Sequence, residues 1–152
     1  MRNATSILLL AAWMFIASAG PAGAQAAPAA EADVAFFVGR WATGPAPVEG
    51  YDTIALDAPA CERPVEIIAA GQGLIRRLPS ASAAPQDGPT FKVMHIAGRF
   101  AWWPTDGGGG PVARRAGPDA FDLAPTHVGQ ADWGRAIRHR RCPATPDSSP
   151  GT

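Results

Sequence analysis

The chain has one lysine (Lys92), one tyrosine (Tyr51) and only two cysteines, Cys61 and Cys142. It has no Cys-x-x-Cys pair, no Gly-x-Ser-x-Gly elbow, and no Gly-Lys-Ser/Thr after the glycine tract Gly107 to Gly110. Those gaps remove the dithiol redox, serine-elbow and phosphate-loop signatures. His95, His127 and His139 lack the spacing of a zinc site, and beyond residue 24 the serines fall only at 80, 82, 148 and 149. No catalytic residue, metal ligand or cofactor is therefore expected, and the expectation is a protein that is not an enzyme. Thirteen basic side chains face thirteen acidic ones, which argues against broad attraction to nucleic acid or anionic membrane.

Long apolar runs are also missing, with one exception. Ile7 to Ala19 is apolar, follows Arg2, and precedes the small-x-small sequence Ala22-Gly23-Ala24. This reads as a signal peptide over 1–24, because a span of the bilayer needs about 20 apolar residues. The mature chain is expected to start near Gln25, with 12 basic and 13 acidic side chains once Arg2 is gone. A periplasmic or secreted location follows, with no stable membrane insertion after cleavage. In an oxidising compartment two cysteines read as one disulfide, Cys61 to Cys142. Closing a loop of roughly 80 residues is worth up to about 4–5 kcal/mol in the chain-entropy account.

What remains is patterned. Residues 25–32 are small and near-neutral and read as a flexible lead-in. The folded domain is expected over 33–142, with a disordered tail at 143–152. Short apolar stretches at Val34 to Trp41, Thr53 to Leu56, Val65 to Ala69, Leu74 to Leu78, Phe91 to Ile96, Arg99 to Trp103, Val112 to Arg115, Ala120 to Leu123 and Trp133 to Arg141 alternate with Gly, Pro and Asp. Ala70-Gly71-Gln72-Gly73 and Ala97-Gly98 read as hairpin connections. The pattern predicts an all-β fold, a small antiparallel barrel or half-barrel of about eight short strands. Strand parity puts Phe91 with Val93, Phe100 with Trp102, and Phe121 with Leu123 on shared faces. The same rule puts Trp133 and Ile137 opposite Arg138, Arg140 and Cys142.

Gly39-Arg40-Trp41, opening a small exported β-chain, resembles the start of the lipocalin-like calycins. The resemblance implies that Trp41 closes the barrel floor and that an arginine from the last strand packs over it. Arg135, Arg138, Arg140 and Arg141 are the candidates, with Arg138 and Arg140 taken as the structural pair. A guanidinium over an indole gains about 0.5–2 kcal/mol and keeps its donors free for carbonyls. The same features are similar to the small periplasmic inhibitors of secreted metalloproteases, compact barrels whose N-terminal segment enters the protease cleft. Residues 25–32 would take that part. In those inhibitors the disulfide closes a short loop, whereas Cys61 and Cys142 lie far apart.

Phe100, Trp102 and Trp103, beside the 104–111 glycine loop, form the candidate contact region. Neighbouring strand residues face opposite ways, so one tryptophan points inward and one outward. The expected function is an exported, non-enzymatic binding protein of the bacterial envelope that recognises a small apolar ligand or a partner protein. The alternatives are a periplasmic protease inhibitor acting through its N-terminal segment and a small hydrolase.

Overall fold

A computed structural model describes residues 25–46, 61–79 and 84–144. The chain opens with a two-residue strand, β1 (Ala27–Pro28), and a short helix, α1 (Glu31–Phe37). Seven strands follow: β2 (Gly39–Pro45), β3 (Val65–Gly71), β4 (Leu74–Leu78), β5 (Thr90–Ile96), β6 (Arg99–Pro104), β7 (Val112–Gly117) and β8 (Ala120–Ala124). A small hairpin of β9 (Thr126–His127) and β10 (Gln130–Ala131) leads through a 3-10 turn to the last strand, β11 (Ile137–Arg141). Each long strand pairs antiparallel with its neighbours, β11 returns to β2, and the sheet closes as an eight-stranded antiparallel barrel. Its architecture is consistent with a lipocalin-like calycin fold.

The connections make the two ends of the barrel unlike. At one end lie tight turns: Gln72-Gly73 between β3 and β4, Ala97-Gly98 between β5 and β6, and Pro118-Asp119 between β7 and β8. Ala97 and Gly98 have φ of 49° and 75°, the pair of positive angles that a type I′ hairpin needs. The longer connections, 46–64, 79–89, 105–111 and 125–136, all leave from the other end. Helix α1 enters at the short-turn end and stops it. Val34 and Phe37 are buried there, and the Phe37 ring meets Phe100, Trp102 and Phe121 at 5.1–5.3 Å.

The interior is filled by inward residues of successive strands: Trp41, Ile67, Ile75, Val93, Trp102, Ala113 and Phe121 are all fully buried. Burying each large side chain is worth about 1.5–3 kcal/mol. The helix end is held by three consecutive carbonyls that find donors. Trp41 Nε1 donates to Phe37 O at 2.8 Å, and Arg141 donates to Phe36 O at 2.7 Å and Val38 O at 3.0 Å. The last carbonyls of a helix have no partner within it, so these bonds complete α1. Cys61 and Cys142 form a disulfide, joining the chain before β3 to the chain after β11, the two strands that flank β2.

Two features differ from the sequence reading. Residues 27–32 sit on the barrel: Ala27 and Pro28 pair with His95 and Met94, and α1 begins at Glu31. Trp133 is not in the last strand. Asp132 N donates to Pro125 O, and Trp133–Arg135 coils into a 3-10 turn that carries the indole outside the barrel, beneath the guanidinium groups of Arg114 and Arg99. Strand β11 starts at Ile137, and the residue sharing its inward face is His139, which is fully buried. The Thr53 to Leu56 candidate, the 1–24 leader and residues 145–152 lie outside the described residues.

Candidate functional site

At the end opposite α1 the barrel interior opens into a pocket of about 390 Å³. Phe91, Trp102, Leu123 and Ile137 supply its apolar wall, and Pro89, Pro111 and Pro125 its rim. Two guanidinium groups complete it, Arg77 and Arg135, and no described carboxylate lines it. Each contributor sits where its strand meets a long connection: Arg77 near the end of β4, Leu123 near the end of β8, Ile137 at the start of β11. The floor is Trp102, whose ring packs at 5.8 Å on both Phe91 and Phe121.

The polar atoms at this end are unusual. Arg77 Nε, Trp102 Nε1 and His139 Nε2 are all buried with no hydrogen-bond partner among the described residues. Arg77 shares the inward face of β4 with Ile75, and burial alone pushes its pKa down. No described residue offers it a carboxylate. His139 lies flat on Phe121, 4.4 Å between ring centres and 11° between planes, with Nδ1 3.2 Å from Ile137 O. A carbonyl can only accept, so Nδ1 carries the proton and Nε2 presents a lone pair in the neutral ring. Burial lowers the His139 pKa to about 4, and the Arg77 charge adds to that direction. The bond to Ile137 and the negative Asp122 oppose it.

The residues singled out in the sequence scatter around this geometry. Trp102 forms the pocket floor, but Phe100 faces the helix end and Trp103 points to solvent, 44% exposed, opposite Lys92 on the outer face. From the glycine loop only Pro111 reaches the pocket. Gly110 is pressed against the Trp102 carbonyl, where no side chain would fit. The guanidinium over Trp41 belongs to Arg141, at 4.3 Å. Arg138 instead pairs with Asp122 on the outer face, which Arg114 also meets at 3.3 Å, and Arg140 is exposed. Asp119 pairs with Arg141 at 3.3 Å, so both neighbouring aspartates are engaged by arginines.

Arg77 was not singled out by sequence reading, although a signal existed. In Leu74 to Leu78 the alternation that buries Ile75 also turns Arg77 inward, which is a charge on a core face. Among the described residues no group of three or more His, Cys, Asp or Glu could hold a metal ion, and no helix is long and apolar enough to cross a membrane. Comparison of the chain with protein-family models, curated proteins and solved structures finds no match.

Proposed function

We propose that this is an exported binding protein of the bacterial envelope that holds a small, largely apolar ligand in the open end of its barrel. One observation carries the reading: a barrel stopped at one end by α1 and open at the other to a pocket walled by Phe91, Trp102, Leu123 and Ile137. Concave apolar pockets of a few hundred Å³ with a few polar groups are the usual form of a small-molecule site. The Gly39-x-Trp41 opening with Arg141 over the indole supports kinship with the lipocalin-like calycins, and the disulfide suits an oxidising compartment. The pairing of Ala27 and Pro28 with β5 engages the N-terminal segment on its own barrel, which favours a ligand binder over an inhibitor acting through residues 25–32.

Titration with decanol, read by quenching of tryptophan fluorescence, tests the proposal because Trp102 forms the pocket floor. Saturable quenching is expected in the native protein. Leu123→Trp, which fills the pocket, should abolish it while leaving the circular dichroism spectrum intact. Absence of saturable quenching in the native protein, or equal quenching in Leu123→Trp, would overturn the reading.

A further inference from the structure

Two residues that line the pocket, Arg77 and Trp102, each carry a buried donor without an acceptor among the described residues, which the apolar wall does not explain. A buried amide-like N–H without a partner is destabilising, and a buried charge without one is more so. Folded proteins rarely leave such groups unmatched. Here Trp102 is fully buried and Arg77 Nε is buried, both residues line the same pocket, and neither polar atom has a partner among the described residues. A second guanidinium, Arg135, stands exposed at the pocket and makes the charge at its mouth positive. No described carboxylate in the lining offsets either cation.

We infer that the pocket takes an amphiphile with a carboxylate head, seated against Arg77 Nε and Trp102 Nε1, with its hydrocarbon part along Phe91, Leu123 and Ile137. The inference rests on the binding reading above and names the ligand class for that site. Two single N–H donors call for two acceptor oxygens, and a carboxylate carries two on one planar group. A charge-assisted hydrogen bond in a low-dielectric pocket is about twice as strong as a neutral one. Arg77 gains a counter-charge that no described residue gives it, and Trp102 gains an acceptor. A cationic head would face two guanidinium groups and is excluded by repulsion. An alcohol of equal length meets the same walls but supplies no charge.

The test compares decanoate, decanol and decylammonium on the full mature chain near neutral pH, with dissociation constants from tryptophan quenching and calorimetry. Decanoate should bind at least about tenfold more tightly than decanol, equivalent to about 1.4 kcal/mol. Decylammonium should bind more weakly than either. Arg77→Met keeps the stem and removes the charge, and should bring the decanoate and decanol dissociation constants to within about twofold of each other. Trp102→Phe keeps a ring and removes the N–H, and should reduce the same preference, so the idea does not hang on one variant folding. If decanol and decanoate bind equally, or Arg77→Met leaves the preference intact, the head-group assignment is wrong and the binding reading survives. If none of the three binds, both fail together.

Discussion

A methyl group placed on Gly39 would come within 2.6 Å of Arg141 Nη1, so the bare α-carbon at 39 is what lets the guanidinium reach the end of α1. Gly39 also has φ of +142°, a backbone angle that side chains disfavour. The Gly-x-Trp opening is thus one device in three parts. Gly39 clears the passage, Trp41 donates to Phe37 O, and Arg141 lies on the indole and donates to Phe36 O and Val38 O. Gly39→Ala should destabilise the protein by about 1–3 kcal/mol, and Arg141→Ala by about 2–4 kcal/mol, mostly through lost charge-assisted bonds to carbonyls. Arg141→Lys should recover little, because one ammonium cannot fork to two carbonyls over a ring. Urea unfolding of the double variant provides the check. With Arg141 truncated, the Gly39→Ala penalty should shrink to its backbone part. Strict additivity would show that the two positions do not share this contact.

The disulfide should act through the unfolded chain. Cys61 and Cys142 are separated by 81 residues, so reduction or Cys61→Ser with Cys142→Ser should cost up to about 4–5 kcal/mol while the barrel's pairing persists at low denaturant. Peptide mapping without reductant should recover the two cysteines linked. A variant as stable as the native protein would show that the reduced unfolded state is already compact.

Among the described residues, two turns carry non-glycine residues at positive φ. Ala97 at 49° precedes Gly98, and Val128 at 49° precedes Gly129 in the β9–β10 hairpin. The left-handed region costs an L-residue about 1–2 kcal/mol, and a β-branched residue is the least suited to it. Val128 is also 88% exposed, so no burial in this chain offsets its strain. Ala97→Asn and Val128→Asn should each raise the unfolding free energy by about 0.5–1.5 kcal/mol, since Asn-Gly is the preferred type I′ pair. A loss of stability at position 97 would mean that the hairpin is not of this type.

The barrel was legible because its cues are local. Glycine pairs at the turns, prolines between the runs, and alternation in Phe91 to Ile96 and Arg99 to Trp103 each depend on residues close in sequence. The disulfide followed from compartment and count. What stayed hidden depends on closure of the sheet. Which arginine of the last strand covers Trp41 turns on the register of β11 against β2, where Arg141 stands opposite Trp41, and no short window contains both. In the sequence Trp133 reads as part of that strand because a 3-10 turn leaves no periodic trace in three residues. The pocket was hidden for the same reason. Arg77, Trp102 and His139 come from three strands far apart in sequence, and the burial of Arg77 Nε, Trp102 Nε1 and His139 Nε2 without partners among the described residues exists only once the barrel is closed.

His139 makes stability depend on pH in a definite direction. In the fold it is neutral, its pKa lowered from 6.5 to about 4 by burial first and by the charge of Arg77 next, with Ile137 O and Asp122 pulling the other way. In the unfolded chain the ring returns to its ordinary value and binds a proton as pH falls below about 6.5. Between about pH 6.5 and 4 the unfolded state therefore holds more protons than the folded one, and stability falls with pH across that window. Above it the ring is neutral in both states and costs nothing. The difference between the two values corresponds to about 3 kcal/mol lost by the time pH reaches about 4. His139→Gln keeps a neutral polar side chain but cannot titrate. Urea unfolding at pH 7, 5.5 and 4 should give a shallower fall for His139→Gln than for the native protein, and the two should converge as pH drops. Parallel curves would mean that carboxylates elsewhere carry the acid sensitivity and that His139 is not held neutral by its place against Phe121.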